Sequence, residues 1–365
     1  MKNKAYTINA EAKERAVEYL KELIANKGIV GENANSNIEL VKKYLNDYGI
    51  GYNEVSCNDH KAIMTGKTGI VLNSHVDVVP GLVEQFTPEV HSNNLYGRGS
   101  ADALGCVASF IVCAQELKEM GKDVTLMIVS DEEAGGLYGT KHILENEYSR
   151  EELDEIKFVI VGEPTEEFGF SVREKGIIRI KLDVNGKKSH PEIEDVDNSI
   201  YTAAKVISEI SSANLYSQSD EFYNRTLHVH PTIIEGGIAP NVIPDRVTIE
   251  YDIRYAYGIK TEDILQIFED IKAKYPCDYT IIKSREPSFV DTENHYFGIL
   301  DKIAGSPERI YTNGASDYSY FFENDLKGVV YGVKGAKWHK DNEYVEIDSM
   351  YNYIENLINF VLEAD

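Results

Sequence analysis

Three consecutive acidic residues, Asp131, Glu132 and Glu133, lie between an apolar run and two glycines. The apolar run, residues 124–129, predicts a buried strand, so the carboxylates come at its carboxyl end. Adjacent carboxylates repel one another and lose hydration on burial, and cations nearby would relieve both penalties. One carboxylate could then bind metal while its neighbour moves protons, although a solvated acidic turn is the commoner use of such a sequence.

A histidine and an aspartate two residues apart, His75 and Asp77, follow a second apolar stretch at residues 69–73. Residues two apart in a strand project to the same side, so the Asp77 carboxylate could orient the imidazole and select its tautomer. Metal-bound histidines commonly have such a partner. The alternative is a surface histidine with a chance acidic neighbour.

Three more residues have the chemistry of metal ligands: Asp102, Glu163 and His339. Asp102 stands between a glycine-rich loop and a predicted helix, where it could cap the helix or bridge two metals. Glu163 follows the strand predicted over residues 158–161 and could equally be a turn residue before a proline. The segment around His339 is polar, which by itself indicates a surface loop.

Strands alternate with helices through the first 165 residues, which predicts an α/β domain with a mixed, mostly parallel sheet and helices on both faces. Helical periodicity is clearest at residues 10–25, 38–48 and 104–120. Ligands of such sheets bind beyond the carboxyl ends of the strands. Five candidate ligands fall on that edge: His75, Asp102, Glu132, Glu133 and Glu163.

The pattern changes after residue 171. Strand and helix periodicities there follow the order βαββαβ, which predicts a small antiparallel sheet with two helices, an α+β arrangement of the ferredoxin-like kind. We expect this inserted domain to span residues 175–285. The first domain would then comprise residues 1–174 and 286–365.

Composition narrows the classes of partner. The 365 residues carry a net charge of −24, which argues against nucleic acid or an anionic membrane, because both require a basic patch. The four cysteines are scattered and form no disulfide framework, as suits a reducing compartment. The first 20 residues are charged throughout, and no apolar run approaches the length of a membrane span, so we expect a cytoplasmic protein.

Six short motifs occur in one order between residues 70 and 345: S-H-V-D-V-V-P, Y-G-R-G-S-A-D-A-L-G, S-D-E-E-A-G-G, V-G-E-P-T, N-G-A-S-D and W-H-K-D-N-E-Y. Each motif is weak by itself, but their order is specific. Together they resemble the di-zinc deacylase and peptidase family of acetylornithine deacetylase, succinyl-diaminopimelate desuccinylase, aminoacylase and carboxypeptidase G.

The resemblance implies a site for two zinc ions, with cobalt or manganese as alternatives. His75 and Glu163 would bind one ion, Glu133 and His339 would bind the other, and Asp102 would bridge both. Each ion would then have two ligands of its own plus the bridge. Such a site leaves room for water and substrate, as an open catalytic site requires.

The resemblance also implies roles for two acids that are not ligands. Asp77 would orient His75. Glu132 would be the general base, taking a proton from a metal-activated bridging water and returning it to the leaving amine. The metals would stabilise the oxyanion formed in between.

The inserted domain resembles the lid and dimerisation domain of that family, which implies a homodimer. His190, in Ser189-His190-Pro191, would reach the partner subunit's site and contact the oxyanion, although it could be a simple loop residue. Asn241 and Arg254 would hold the substrate carboxylate, for which a guanidinium is chemically apt, although Arg254 could equally face solvent. Backbone contacts to the amino-acid moiety would come from Gly314, Ala315 and Ser316.

The implied activity is cleavage of the amide bond of a small N-acyl amino acid. A di- or tripeptidase or carboxypeptidase of the same family is an alternative, and a non-catalytic metal or amino-acid binding protein is a third possibility. The chain departs from the desuccinylase pattern at residues 173–176, where Arg-Glu-Lys-Gly replaces an arginine pair and is closer to the deacetylase and carrier-lysine hydrolase type. The acyl group therefore remains open.

Overall fold

The computed structural model describes residues 5–165, 168–212, 221–224 and 226–364, which divide into two compact units. The first unit holds the described residues up to Val172, Val290–Ile310, and the described residues from Ser316 onward. The second unit holds the described residues of Arg173–Phe289, together with Tyr311–Ala315. The remaining positions of the two predicted domains, residues 1–4, 166–167, 213–220, 225 and 365, lie outside the described residues.

The helices are α1 (Ala10–Ala25), α2 (Asn35–Asp47), α3 (Leu104–Glu119), α4 (Thr140–Asn146), α5 (Arg150–Asp154), α6 (Ser199–Ser212), α7 (Thr261–Lys274), α8 (His295–Ile303), α9 (Tyr318–Glu323) and α10 (Ile347–Ala364), with a 3₁₀ turn at Val83–Phe86. The strands are β1 (Asn53–Cys57), β2 (His60–Met64), β3 (Gly69–His75), β4 (Glu89–His91), β5 (Asn94–Tyr96), β6 (Thr125–Val129), β7 (Ile156–Val161), β8 (Phe170–Glu174), β9 (Gly176–Asn185), β10 (Leu227–Gly236), β11 (Arg246–Tyr255), β12 (Cys277–Arg285), β13 (Ser288–Phe289), β14 (Arg309–Thr312), β15 (Gly328–Tyr331), β16 (Gly335–Ala336) and β17 (Tyr344–Glu346).

The first unit is built on a sheet whose strands follow the order β1-β2-β6-β3-β7-β15-β8. Neighbours from β6 to β15 run parallel, and the flanking strands β1, β2 and β8 pair antiparallel. The central strands are nearly continuous runs of buried valine, isoleucine and leucine, as expected for parallel strands covered on both faces. The predicted fold class is therefore confirmed.

Helices cover both faces of this sheet because successive strand connections move in opposite directions along the strand order. The connection from β3 through α3 leads to β6 on one side, and the connection from β6 through α4 and α5 leads to β7 on the other side of β3. Parallel crossovers are right-handed, so the two connections lie on opposite faces. The buried side chains of these layers form one hydrophobic core.

A second, smaller sheet in the first unit has the order β16-β17-β5-β4, with strands of only two or three residues. Tyr96 of β5 pairs with Tyr344 of β17, although the two residues lie almost 250 positions apart in the chain. The sequence analysis did not predict this sheet. It joins the loop after β5 to the loop between β16 and β17.

The second unit is a four-stranded antiparallel sheet in the order β10-β11-β9-β12, with α6 and α7 connecting β9 to β10 and β11 to β12. This is the βαββαβ order that the sequence predicts. Alternate residues of β9 and β11 are buried, and together with the apolar faces of α6 and α7 they form a separate core.

Among the described residues, no helix is both long enough and apolar enough to cross a lipid bilayer.

Candidate metal centre

Three parallel strands deliver candidate ligands to one edge of the main sheet. His75 is the last residue of β3, Glu132 and Glu133 follow the end of β6, and Glu163 lies two residues beyond β7. Because β3 has β6 and β7 as parallel neighbours, these carboxyl ends lie side by side. The sheet therefore brings four of the five predicted strand-end ligands together.

The small sheet supplies two more candidate ligands, one of the five strand-end candidates and His339. Asp102 lies on the loop after β5, and His339 lies between β16 and β17. The pairing of β5 with β17 holds these loops next to each other. His339 itself has a left-handed backbone, with φ of 60°, a conformation that a non-glycine residue keeps only when its surroundings enforce it.

Asp102 lies between the two histidines. Its Oδ1 atom is 3.2 Å from Nε2 of His75, and its Oδ2 atom is 3.2 Å from Nε2 of His339. The N-cap of α3 is Ala103, with no side-chain capping bond, so the capping alternative for Asp102 is wrong. A carboxylate that presents one oxygen to each of two imidazoles has the arrangement of a bridging ligand.

The described residues contain two groups of potential metal ligands, and within each group the ligand atoms lie within 4.8 Å of one another. One group is His75 with Glu132 and Glu163, and the other is His339 with Asp102 and Glu133. In the first group, Nε2 of His75 is 3.7 Å from Oε2 of Glu163. In the second group, Nε2 of His339 is 2.9 Å from Oε1 of Glu133. The two adjacent glutamates of the acidic turn thus belong to different groups.

The partner of the second His75 nitrogen differs from the prediction in one respect. Nδ1 is 2.9 Å from the main-chain oxygen of Asp77 and 3.4 Å from its carboxylate oxygen Oδ1. Strand β3 ends at His75, so the two residues do not share the strand geometry on which the prediction rested. The Asp77 carboxylate instead accepts the backbone N–H groups of Glu132, at 3.2 Å, and Glu133, at 2.9 Å.

The third acid of the triplet, Asp131, supports the other end of the turn. Its buried carboxylate accepts the backbone N–H groups of Tyr138 and Gly139 at 2.7 and 3.0 Å. Gly135 and Gly136 have positive φ, which lets their N–H groups fold back onto the carbonyls of Glu132 and Asp131. The turn is therefore held by specific hydrogen bonds and partly buried, rather than simply solvated.

Burial and mutual repulsion make this cluster a poor place for carboxylates alone. Burial raises the pKa of Glu163 well above its usual value, and burial with the charges of Asp102 and Glu132 raises the pKa of Glu133 to about 7. Burial acts in the same direction on Asp102, but hydrogen bonds from His339 and His75 hold its pKa below the usual range.

The histidines show the complementary shift. Burial alone would lower the pKa of His75, yet the carboxylates of Glu163, Asp102 and Asp77 raise it well above its usual value. Hydrogen bonds to Asp102 and Glu133 raise the pKa of His339 to about 10. Each imidazole thus lies among carboxylates that favour a positive charge at its position. Imidazole nitrogens and carboxylate oxygens are donors that suit zinc, cobalt and manganese.

Sequence reasoning missed one buried pair next to this cluster. Glu343 and Arg98 are only 2% and 4% exposed, and Oε2 of Glu343 accepts a hydrogen bond from Nη1 of Arg98 at 2.8 Å. Both residues belong to motifs that carry the family resemblance, Y-G-R-G and N-E-Y. Membership of these motifs is the sequence signal that could have identified the pair.

The predicted lid residues His190 and Asn241 lie on neighbouring exposed loops of the second unit. Ser189 and Ile243 exchange two backbone hydrogen bonds, which join the two loops. The imidazole of His190 is 55% exposed, and its Nδ1 accepts the N–H of Glu192 at 3.4 Å.

Arg254 of β11 already has a carboxylate partner in the second unit. Its Nε and Nη2 atoms donate to the two oxygens of Asp252 at 2.5 and 3.2 Å, and its Nη1 donates to the carbonyl of Asn313 at 3.4 Å. The guanidinium therefore contacts the loop that contains Gly314 and Ala315. Ser316, the last residue of the predicted set, is buried in the first unit, and its Oγ accepts the N–H of Tyr318.

Residues 71–363 match the sequence family described as Peptidase family M20/M25/M40. The chain belongs to this family. It is therefore a metal-dependent hydrolase of amide bonds, which confirms both the predicted resemblance and the predicted enzyme class.

Two relatives of known function extend this result. A succinyl-diaminopimelate desuccinylase of Rickettsia bellii (strain RML369-C) is 27% identical over 378 residues, which cover 95% of this chain and 96% of the relative. A [LysW]-lysine/[LysW]-ornithine hydrolase of Saccharolobus solfataricus is 28% identical over 299 residues and 80% of each chain.

Solved structures of the family have the same fold. A metallo-carboxypeptidase of the M20 family from Sulfolobus solfataricus superposes with a TM-score of 0.77 at 15% identity, covering 95% of this chain and 98% of that one. A Bacillus subtilis protein described as a dinuclear metal-binding peptidase superposes with a TM-score of 0.66 at 15% identity, covering 98% and 100%. At these identities the likeness concerns the fold.

Proposed function

We propose that this protein removes the acyl group from a small N-acyl amino acid by hydrolysing its amide bond at a centre of two divalent cations. The observation that carries the proposal is the position of Asp102, whose two oxygens each lie 3.2 Å from a different imidazole. A carboxylate shared between two imidazoles in this way suits a site for two metals rather than a site for one. The relatives of known function that match nearly the whole chain act on acylated amino acids by name, which supports the substrate class.

Five side chains would hold the two cations, which we expect to be zinc, with cobalt or manganese as alternatives. His75 and Glu163 would bind one cation, His339 and Glu133 the other, and Asp102 both. When bound, the cations supply Lewis acidity, which polarises a carbonyl oxygen and makes a water molecule more acidic. The main-chain oxygen of Asp77 would fix the His75 tautomer so that Nε2 faces the metal.

Glu132 would act as the general base. Its carboxylate lies within 4.8 Å of the ligand atoms of His75 and Glu163, and its backbone is held by Asp77. From there the carboxylate can accept a proton from the attacking water and deliver it to the leaving nitrogen. The turn thus divides the two glutamates between proton transfer and metal binding.

The second unit would serve as a lid and dimerisation domain, for which we propose residues 175–285. Arg254 and Asn241 would bind the substrate carboxylate, and the backbone of residues 314–316 would contact the amino-acid moiety. Asp252 already holds the Arg254 guanidinium in one orientation, which reduces the side-chain conformational entropy lost when substrate binds. His190 would complete the site of the partner subunit in a homodimer, consistent with its exposed ring.

The homodimer is supported by the edge strand β10 of the second unit. This strand pairs with β11 on one side, and its residues from 230 to 236 are exposed, including Ile233 and Ile234. An exposed edge strand that carries two apolar side chains can pair with a second chain.

Hydrolysis assays on the metal-loaded protein test the proposal. The panel holds N-acetyl and N-succinyl derivatives of ornithine, lysine and diaminopimelate beside unmodified di- and tripeptides, each with zinc, cobalt or manganese. We expect turnover of at least one acyl amino acid and none by Glu132→Gln. Turnover of peptides alone would make the protein a peptidase, and metal binding without turnover of any substrate would favour a binding protein.

A further inference from the structure

We propose that Arg98 and Glu343 form a buried clamp that sets the position of Asp102 relative to His339, and that both are positioning residues of the metal centre. The inference rests on the proposed function, because it assumes that Asp102 bridges the metals. It assigns a role to two motif residues that neither bind metal nor move protons.

Glu343 uses both of its carboxylate oxygens. Oε2 accepts the Arg98 guanidinium at 2.8 Å, and Oε1 accepts the backbone N–H groups of Ala101 and Asp102 at 3.1 and 3.2 Å. The carboxylate therefore holds the main chain of the bridging residue itself. Because the side chain of Asp102 is short, a shift of its backbone moves its carboxylate by a similar distance.

Arg98 extends the same contact to the loop that carries His339. Its Nη1 also donates to the carbonyl of Lys340, the residue after His339, at 3.3 Å. The backbone N–H of Gly97 donates to the carbonyl of Glu343 at 3.1 Å, beside the ion pair. The pair thus joins the two loops whose ligands must face each other across one metal.

A buried ion pair is an expensive way to hold two loops together, because desolvation offsets most of its Coulomb attraction. Apolar side chains of similar volume would hold the loops about as well, but they could not bind two adjacent backbone N–H groups. The use of a buried ion pair here therefore indicates that the two loops must be held in one specific geometry.

Another largely buried ion pair in the first unit provides a control. Arg15 and Glu116 have side chains only 12% and 5% exposed and are in ion-pair contact. The other Glu116 oxygen accepts Tyr6 and Asn9 rather than the backbone of any candidate ligand. Loss of this pair should lower the stability of the fold and leave the metal centre unchanged.

The substitution Glu343→Gln tests the clamp with almost no change in shape. A glutamine offers one acceptor oxygen, so its NH₂ group must face either the guanidinium or the two backbone N–H groups. Asp102 should then move, and we expect one of the two metals to bind about 10–100-fold more weakly, as when other outer partners of metal ligands are lost.

Cobalt and zinc titrations of the metal-free proteins, with a chromophoric chelator as competitor, measure each affinity, and the cobalt absorption spectrum reports the ligand geometry. We expect Glu343→Gln to lower the affinity for one of the two metals and to alter the cobalt absorption spectrum. The control Glu116→Gln should lower the unfolding midpoint and leave both metal affinities unchanged. Arg98→Lys keeps the charge, but its flexible ammonium is not fixed at the Nη1 position from which Arg98 reaches both Glu343 and Lys340, so at least threefold weaker binding is expected.

Two results would overturn the clamp: binding of both metals by Glu343→Gln within twofold of the parent, or an equal loss in Glu116→Gln. If Glu343→Gln does not fold, Arg98→Lys decides, and parent-like affinity and spectrum in that variant would overturn the inference. A parent protein that binds no divalent cation would instead refute the proposed function, so the two failures are distinguishable.

Discussion

Oδ2 of Asp77 accepts the backbone N–H of Glu133 at 2.9 Å, which ties the end of β3 to the acidic turn after β6. The neighbouring Oδ1 accepts the N–H of Glu132 in the same way, at 3.2 Å. The aspartate after the first ligand strand therefore positions both glutamates, besides contacting His75 through its main-chain oxygen.

Replacing Asp77 by asparagine should lower kcat while leaving the shorter His75 contact in place, because that contact uses the main-chain oxygen. The asparagine NH₂ group would face a backbone N–H, and the turn would shift. We expect a loss of about 10–100-fold in kcat with KM nearly unchanged. Steady-state kinetics measure the change, with the exposed Asp123→Asn as control. A kcat within twofold of the parent would contradict the role assigned to the carboxylate.

The adjacent glutamates should respond differently to the same substitution. Glu132→Gln removes the proposed base, so turnover should fall by about 10²–10⁴-fold while both metals are retained. Glu133→Gln removes a proposed ligand beside His339, so the metal content after gel filtration should fall toward one per chain. Elemental analysis and kinetics on the same samples compare the two. Appreciable activity in Glu132→Gln would show that another group accepts the proton.

Metal binding should release protons near neutral pH. In the metal-free protein the pKa of His339 is about 10 because of its hydrogen bonds with Asp102 and Glu133, and burial raises the pKa of Glu133 to about 7. At pH 7 the histidine is therefore protonated and Glu133 is partly so. A metal binds only the deprotonated forms, so its affinity should rise with pH between 6 and 8.

Calorimetric titrations in two buffers of different ionisation enthalpy measure the protons released. A heat of binding that is the same in both buffers would contradict the prediction. The linkage also has a consequence for the metal-free fold. Because the pKa of His339 is raised above its unfolded value near 6.5, its stabilising contribution is complete below that pH and is lost as the pH rises through about 10.

Substitution of Arg254 should affect substrate binding more than chemistry. Arg254→Lys loses the fork that Asp252 orients, and we expect KM to rise about 10–100-fold for substrates with a free carboxylate, the equivalent of a charge-assisted hydrogen bond of 1.5–3 kcal/mol. Substrates amidated at that carboxylate should bind parent and variant alike. A rise in KM of equal size for both substrates would remove Arg254 from the carboxylate site.

The two edges of the second sheet allow a paired test of the homodimer. Ile234 of edge strand β10 and Ile282 of edge strand β12 are 59% and 49% exposed. We expect the parent and Ile282→Lys to be dimers by light scattering, and Ile234→Lys to be a monomer, because a lysine on an edge strand opposes pairing. A monomeric and fully active parent would exclude the dimer and the proposed role of His190.

The strand-end ligands illustrate how far local patterns reach. His75, Glu132, Glu133 and Glu163 all follow apolar runs that predict parallel strands. In a parallel sheet those carboxyl ends must share one edge, so the order of the runs already predicts that the side chains converge. The family motifs identified the same residues independently.

Local sequence patterns could not predict that Asp102 and His339 lie close together. The strands that bring their loops together have two or three residues each, too short for any periodicity, and their pairing spans almost 250 positions. The same pairing brings Arg98 to Glu343, a contact that no local pattern predicts. For these residues only the motif resemblance indicated a common site.

The amino-acid sequence alone determined the order of the main strands and helices, the inserted βαββαβ unit and the chemical types available to the site, because these follow from periodicity and residue chemistry. Only the tertiary structure decided that the Asp77 carboxylate would hold the acidic turn, while the main-chain oxygen of Asp77 makes the shorter contact with His75. That choice depends on β3 ending at His75 and on which N–H groups the neighbouring strand leaves within reach. Such partnerships arise from non-local pairing, and a one-dimensional pattern does not contain them.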